Sequence, residues 1–161
     1  MKRIKITVAY DGTLYHGWQI QPNAVTIEGE LNRCLSELTG ENIEVIGGSR
    51  TDAGVHALGN VAVFDTESRM DPSKFSYALN QRLPDDIKVI DSALVPDDFH
   101  PRHCETIKTY EYRIYRADFP MPVRRLYTYF TYHRLDVQAM REACAYLREN
   151  MISRASAAWQ R

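Results

Sequence analysis

Residues 2–10, Lys-Arg-Ile-Lys-Ile-Thr-Val-Ala-Tyr, constrain the fold more than any other stretch of this chain. Ile4, Ile6 and Val8 fall on one side of an extended segment, and Lys5 and Thr7 fall on the other. That period of two is a strand with one face in a core and one toward water. Such a strand needs a partner layer, and the next periodic segment supplies one. Ile27, Leu31, Cys34, Leu35 and Leu38 recur at helical spacing, with Gly40 as the stop signal. Strand-like runs follow at Ile43 to Ile46 and at Asn60 to Asp65. Asp71-Pro72 then opens a second helix as N-cap and first-turn proline, carrying Phe75, Ala78 and Leu79. Ile87 to Val95 is another strand. The order β-α-β-β-α-β is that of the split βαβ, ferredoxin-like class of α+β folds. It is complete by about residue 100, so residues 1–103 read as a first domain.

A second unit is expected over 104–149. From Thr106, Lys108, Tyr110, Tyr112 and Ile114 share one strand face, and Thr109, Glu111 and Arg113 share the other. Leu126 to Tyr132 reads as a further strand. Asp136 starts a helix with Val137, Met140, Cys144 and Leu147 at apolar spacing. Residues 150–161 show no strand and no terminator, and read as an aberrant tail. The second unit so read is incomplete and leaves an apolar helix face and a strand edge uncovered.

Composition narrows the class. The 161 residues are 44% hydrophobic and 25% charged, as in an ordinary globular protein. No run approaches the roughly 18 apolar residues of a membrane span. The N-terminus enters the first strand without an apolar signal core, so the expected address is the cytoplasm. Cys34, Cys104 and Cys144 are scattered without a C-x-x-C pair, which supports neither a disulfide framework nor a zinc site. The net charge of −1 argues against a generic nucleic-acid binder, but charge is unevenly placed. Residues 101–134 hold seven Lys/Arg against three acids, with six tyrosines interleaved. Basic plus aromatic residues suit phosphates and unstacked bases. A solvated basic face on a strand pair is the other reading of the same residues.

Chemistry concentrates in Arg50-Thr51-Asp52-Ala53-Gly54-Val55-His56-Ala57, preceded by Gly47-Gly48. A cation, a carboxylate, a glycine and an imidazole share one connection braced by two strands, where scaffolds present functional groups. Asp52 as a turn residue or surface ion pair is the alternative. Asp11 is the nearest second acid, and nothing in the spacing makes a glycosidase-type carboxylate pair of the two.

The run from Gly48 to Ala57 closely resembles the signature of the TruA family of tRNA pseudouridine synthases. Four other blocks resemble the family in order and spacing. They are Tyr10 to Gln19, then Ala78-Leu79-Asn80 with Leu83 to Ile87, then Phe99-His100-Pro101-Arg102, then Lys108 to Tyr112. The resemblance covers residues 2 to 149. It implies two ferredoxin-like halves in one extended antiparallel sheet with helices on one face, an RNA-binding cleft, a homodimer, no cofactor and no metal. It implies isomerisation of uridine to pseudouridine at positions 38 to 40 of the tRNA anticodon arm. Asp52 resembles the catalytic aspartate and Tyr110 the tyrosine that stacks on the target base. Arg50 stands at the family's basic position, and His56 is a further substrate-binding candidate. Tyr10, Asp11, His16 and Trp18 are expected to brace the cleft or contact RNA, with a core role the alternative for Trp18. Arg50 is expected to keep Asp52 ionised and oriented.

Family members continue after the Asp136 helix with a run resembling Gly-x-His-Asp-Phe-x-Ser-Phe. If Asn150 is encoded by AAC, dropping its first two bases can make the following codons read His-Asp-Phe-Thr-Ser-Phe, which resembles that continuation. The tail therefore reads as the frameshifted end of a truncated member, and this polypeptide is expected to be poorly soluble and inactive. A non-catalytic RNA-binding remnant of the same fold is the alternative function.

Overall fold

The computed structural model describes residues 1–146. Strand β1 (Lys2–Tyr10) matches the alternation residue for residue, with Ile4, Ile6 and Val8 fully buried. Helix α1 (Ile27–Thr39) is capped by Thr26, whose side-chain oxygen accepts the Gly29 amide, and stops at Gly40 in the left-handed region (φ 74°). Its buried stripe is Ile27, Leu31, Cys34 and Leu35. Strand β2 is short (Ile46–Gly47), β3 runs Ala57–Thr66, helix α2 spans Phe75–Asn80 and β4 spans Ile87–Val95. These strands form one antiparallel sheet in the order β2-β3-β1-β4. β1 is thus central, with Ile6 opposite Ala62 on one side and Ser92 on the other. The inward side chains of β1, β3 and β4 form one core with the apolar faces of both helices. Within it the Phe64 and Phe75 rings meet edge to face at 5.2 Å.

Two local expectations for this unit need correction. The Ile43 to Ile46 run pairs with the sheet only at Ile46–Gly47. Ile43 and Val45 are buried, but their amides donate to Ser36 Oγ (3.0 Å) and Asn32 Oδ1 (2.9 Å) of α1. Side chains of the helix thus take the donors a longer strand would have given to the ladder. The second helix begins as a 3₁₀ turn (Pro72–Lys74), because Asp71 accepts the Ser73 amide and hydroxyl and tightens the entry.

Beyond β4 the chain stays attached to the sheet. The Arg3 fork binds Asp65 at 2.8 and 2.7 Å, and its third nitrogen donates to the Phe99 carbonyl at 3.1 Å. Arg102 Nε donates to the Gly47 carbonyl at 2.8 Å, and Pro101 is buried. These ties extend the first compact unit to Lys108, where the sequence pattern placed its end at residue 103.

The second unit starts at Thr109. Its regular strands are β5 (Ile114–Arg116) and β6 (Tyr129–Thr131), which pair in parallel as a separate two-stranded sheet. The long strand expected from Thr106 is therefore cut to three residues at its far end. Tyr110 and Tyr112 lie outside it and are largely exposed, so no buried face selects an alternating conformation there. The strand expected from Leu126 starts late because turn bonds claim the preceding amides: Arg124 and Arg125 bond back within a 3₁₀ turn, and Tyr127 bonds to the Arg124 carbonyl. Among the described residues the antiparallel sheet is the four-stranded one of the first unit. Residues 137–146 are helical, with Asp136 Oδ1 accepting the Ala139 amide at 2.9 Å. Leu147 and the 150–161 tail lie outside the described residues. No helix among the described residues is long and apolar enough to cross a membrane.

The Arg3 bond holds the Asp65 carboxyl below its ordinary range. A depressed folded value gives stability that is fully present above about pH 4 and is lost as pH falls through the lowered value. Urea unfolding of the wild type and Asp65→Asn is expected to show the wild type more stable at pH 7, with the gap closing in acid. A gap independent of pH would rule out this origin.

Candidate active site

Two connections at one end of the sheet meet face to face. The first follows β1. Asp11 Oδ1 accepts the Thr13 amide (3.0 Å) and hydroxyl (2.6 Å), winding Gly12–Leu14 into a 3₁₀ turn. The chain then passes through Tyr15 and Gly17 to Trp18, whose indole is buried against Gly47. The second is the Gly48 to His56 loop between β2 and β3.

The meeting is made chiefly by backbone. Trp18 N–H donates to the Thr51 carbonyl at 3.0 Å, and Gly54 N–H donates to the Tyr15 carbonyl at 3.2 Å. Tyr10 OH bonds Thr51 Oγ1 at 2.9 Å, and Asn60 Nδ2 donates to the Ser49 carbonyl at 3.0 Å. Val55 N–H donates to the Asp52 carbonyl at 3.2 Å and closes the tip. Gly12 and Gly17 make this approach possible. A Cβ on Gly12 would overlap the Val55 carbonyl, and one on Gly17 (φ 86°) would overlap that of Thr51. Loop carbonyls and amides are thereby committed on both flanks of Asp52.

Asp52 itself is exposed. Its backbone is gripped through Thr51 and Val55 while its carboxylate faces solvent. Arg50 is exposed too, and among the described residues neither side chain makes a hydrogen bond or ion pair. The expected guanidinium clamp on the carboxylate is therefore absent, and a contact in open solvent would hold it only weakly. Arg50 thus stands in solvent two residues from the carboxylate, available to an anionic ligand. His56 is partly exposed, with Nδ1 3.1 Å from Gly12 N and 3.0 Å from Asp11 Oδ1. Tyr110, in the second unit, is 86% exposed.

Of the residues expected to brace or contact, Tyr10 and Trp18 belong to the core. The Trp18 ring is buried in that core, its Nε1 without a hydrogen-bond partner among the described residues. His16 is exposed. Burial, against the hydrogen bonds from Thr51 and Asn60, raises the Tyr10 phenol above its ordinary value. Burial and the bond to Asp86 raise that of Tyr15. Both remain neutral hydroxyls at physiological pH, suited to bracing and unsuited to proton transfer. Sequence reasoning did not single out Thr51, Asn60, Gly17 or Asp86 for these roles. Their signal is pairing across 11 to 71 residues, which no local pattern displays.

An exposed carboxylate on a fixed backbone can attack an electrophilic carbon, stabilise a developing cation or take a proton. No group of three or more potential metal ligands lies among the described residues.

A family model described as tRNA pseudouridine synthase matches residues 6–103, which include most of this sheet and both connections. The chain belongs to the tRNA pseudouridine synthase family. It is 48% identical over 146 residues to the tRNA pseudouridine synthase A of Acetivibrio thermocellus, covering 91% of this chain and 60% of that protein. Proteins of the same name from Thermoanaerobacter sp. (strain X514), over 147 residues, and tRNA pseudouridine synthase A 2 of Clostridium perfringens, over 146, are each 45% identical at the same coverage. The chain spans about 60% of the length of these curated relatives.

Gly17 and Gly40 both sit at positive φ, but a Cβ on Gly40 meets nothing within 4 Å. Gly40→Ala is expected to cost about 1–2 kcal/mol, the backbone penalty alone. Gly17→Ala should cost clearly more and shift the loop amide resonances in NMR spectra. Equal losses would show that the two connections are not in tight contact.

Proposed function

We propose that this chain carries the catalytic half-site of a synthase that isomerises uridine to pseudouridine in tRNA, with Asp52 as the catalytic carboxylate. The observation that carries the proposal is an exposed carboxylate on a loop whose flanking backbone is fastened to a second connection. The relatives' shared name points to the same reaction.

The chemistry asks for such a group. The N1–C1′ bond breaks, the base turns, and C5 bonds to C1′. C5 then loses its proton and N1 gains one, so the change is an isomerisation without redox. Asp52 serves as nucleophile at the base or sugar, as stabiliser of positive charge at C1′, or as base toward C2′ or C5. Tyr110 is read as the ring that holds the detached uracil, a stacking contact of about 1–3 kcal/mol. Arg50, exposed two residues from Asp52, suits a phosphate of the substrate. Flipping a paired uridine costs a few kcal/mol, offset by phosphate contacts from the basic 101–134 stretch. The anticodon arm as target, a homodimer and a cytoplasmic address complete the reading. The strand order β2-β3-β1-β4 with helices after β1 and β3 supports a ferredoxin-like first domain.

A second reading, an RNA-binding remnant without turnover, draws on the exposed Tyr110, Tyr112, Tyr129 and Tyr132 among basic residues. One assay separates the two. The matched region of the Acetivibrio thermocellus relative is replaced by the corresponding residues of this chain, and tritium release from C5-labelled uridine in tRNA is followed. The hybrid is expected to turn over. Asp52→Asn in the hybrid should lower the rate at least about 100-fold while tRNA affinity is kept. Undiminished turnover by that variant would remove Asp52 from the mechanism, and a hybrid that binds without turnover would favour the remnant. The 161-residue chain, run alongside, reads out the inactivity expected of it.

A further inference from the structure

His56 occupies a position that its chemistry does not allow it to use in one way only. Nδ1 lies 3.1 Å from the Gly12 amide nitrogen, with geometry that accepts the N–H. The same Nδ1 lies 3.0 Å from Asp11 Oδ1. An unprotonated Nδ1 can accept from Gly12 but turns a lone pair toward the carboxylate. A protonated Nδ1 can donate to Asp11 but has no lone pair left for Gly12. The two bonds exclude each other.

Both partners belong to the turn that follows β1, and the imidazole belongs to the loop that presents Asp52. Gly12 is buried, so its amide needs an acceptor. Asp11 Oδ1 already receives the Thr13 amide and hydroxyl, so the carboxylate is satisfied when Nδ1 carries no proton. Asp11 is the charged group facing Nδ1 from the neighbouring turn. Behind it stands Asp86, whose carbonyl accepts the Asp11 amide (2.9 Å) and whose carboxylate accepts the Tyr15 hydroxyl (2.6 Å). Arg50 and Asp52 are the charged groups on the imidazole's own loop.

We infer that His56 is a positioning residue, a proton-controlled latch between the Asp52 loop and the turn after β1. With its proton on Nε2, the neutral imidazole holds the loop through Gly12 N–H; a proton on Nδ1 breaks that bond and transfers the hold to the Asp11 carboxylate. The loop thus has two fastened states that differ at one nitrogen. His56 acts on Asp52 through the backbone of Val55 and Gly54, which bond the Asp52 and Tyr15 carbonyls. The effect on turnover rests on the catalytic reading of Asp52. The latch itself does not, and it is measured without turnover, so the two ideas fail separately.

The test uses the 161-residue chain labelled with ¹⁵N. Neutral His56 is expected to be the Nε2–H tautomer, with a through-hydrogen-bond coupling between Gly12 N and His56 Nδ1. The coupling should vanish on protonation, with the Gly12 amide resonance moving at the same midpoint. Absence of the coupling at every pH, or a Gly12 amide indifferent to His56 protonation, would overturn the latch. Variants then separate positioning from bulk. The His56→Asn amide reaches the place of Nδ1 and can accept from Gly12 but does not titrate. Exchange of the Gly54 and Val55 amides should stay within about 3-fold of wild type in H56N and lose its step with pH. In H56A it should rise at least about 10-fold. Equal exchange in H56N and H56A would show that the ring merely fills space.

Discussion

The structure depends on backbone meeting backbone between the turn after β1 and the loop before β3. Trp18 and Gly54 each give an amide across this contact, and Thr51 and Tyr15 each supply a carbonyl. Main-chain groups hold a position that side chains in solvent do not, because neither end can rotate away. Asp52 gains its placement from that contact and gains little from its neighbours' side chains, since Arg50 does not bind it among the described residues. The carboxylate is fixed at its Cα and left open at its oxygens, which is what a group that must meet a substrate requires.

The contact in turn rests on the sheet. β1 is central and delivers the Tyr10 to Trp18 connection, and β3 pairs with it along nearly its whole length and receives the Asp52 loop. Tyr10 and Trp18 extend the core under both connections, with ring centroids 6.0 Å apart. The same side chains that close the core thus underpin the site. Asn60, inward-facing on β3, turns its amide to the Ser49 carbonyl, so even the strand's polar position serves the loop.

Much of this was legible in the sequence where one element's burial is read from its own residues. β1 and β4 begin and end at the residues that the pattern marks, and α1 stops at Gly40. Legibility fails where a distant partner decides. Ile43 and Val45 look like strand, but Asn32 and Ser36 on the preceding helix claim their amides. Trp18 looks equally suited to core and ligand until its burial against Gly47 is seen. The stretch from Thr106 alternates on paper, yet its large side chains stay exposed and only Ile114–Arg116 becomes strand. The signature loop announced its chemistry and concealed its support: Asp52, Arg50 and His56 stand out as residue types, whereas Thr51 and Gly17 matter through contacts that only the fold creates.

The Asp52 loop is built in place by the fold and not ordered on demand. Native-state hydrogen exchange at neutral pH tests it directly, by comparing the Trp18 and Gly54 amides with those of central strand β1. A loop braced as described shares the opening free energy of the core, so these amides are predicted to exchange within about 10-fold of the slowest β1 amides after correction for intrinsic rates. Exchange more than about 10²-fold faster, through an opening confined to the two connections, would mean that the loop is ordered only on demand.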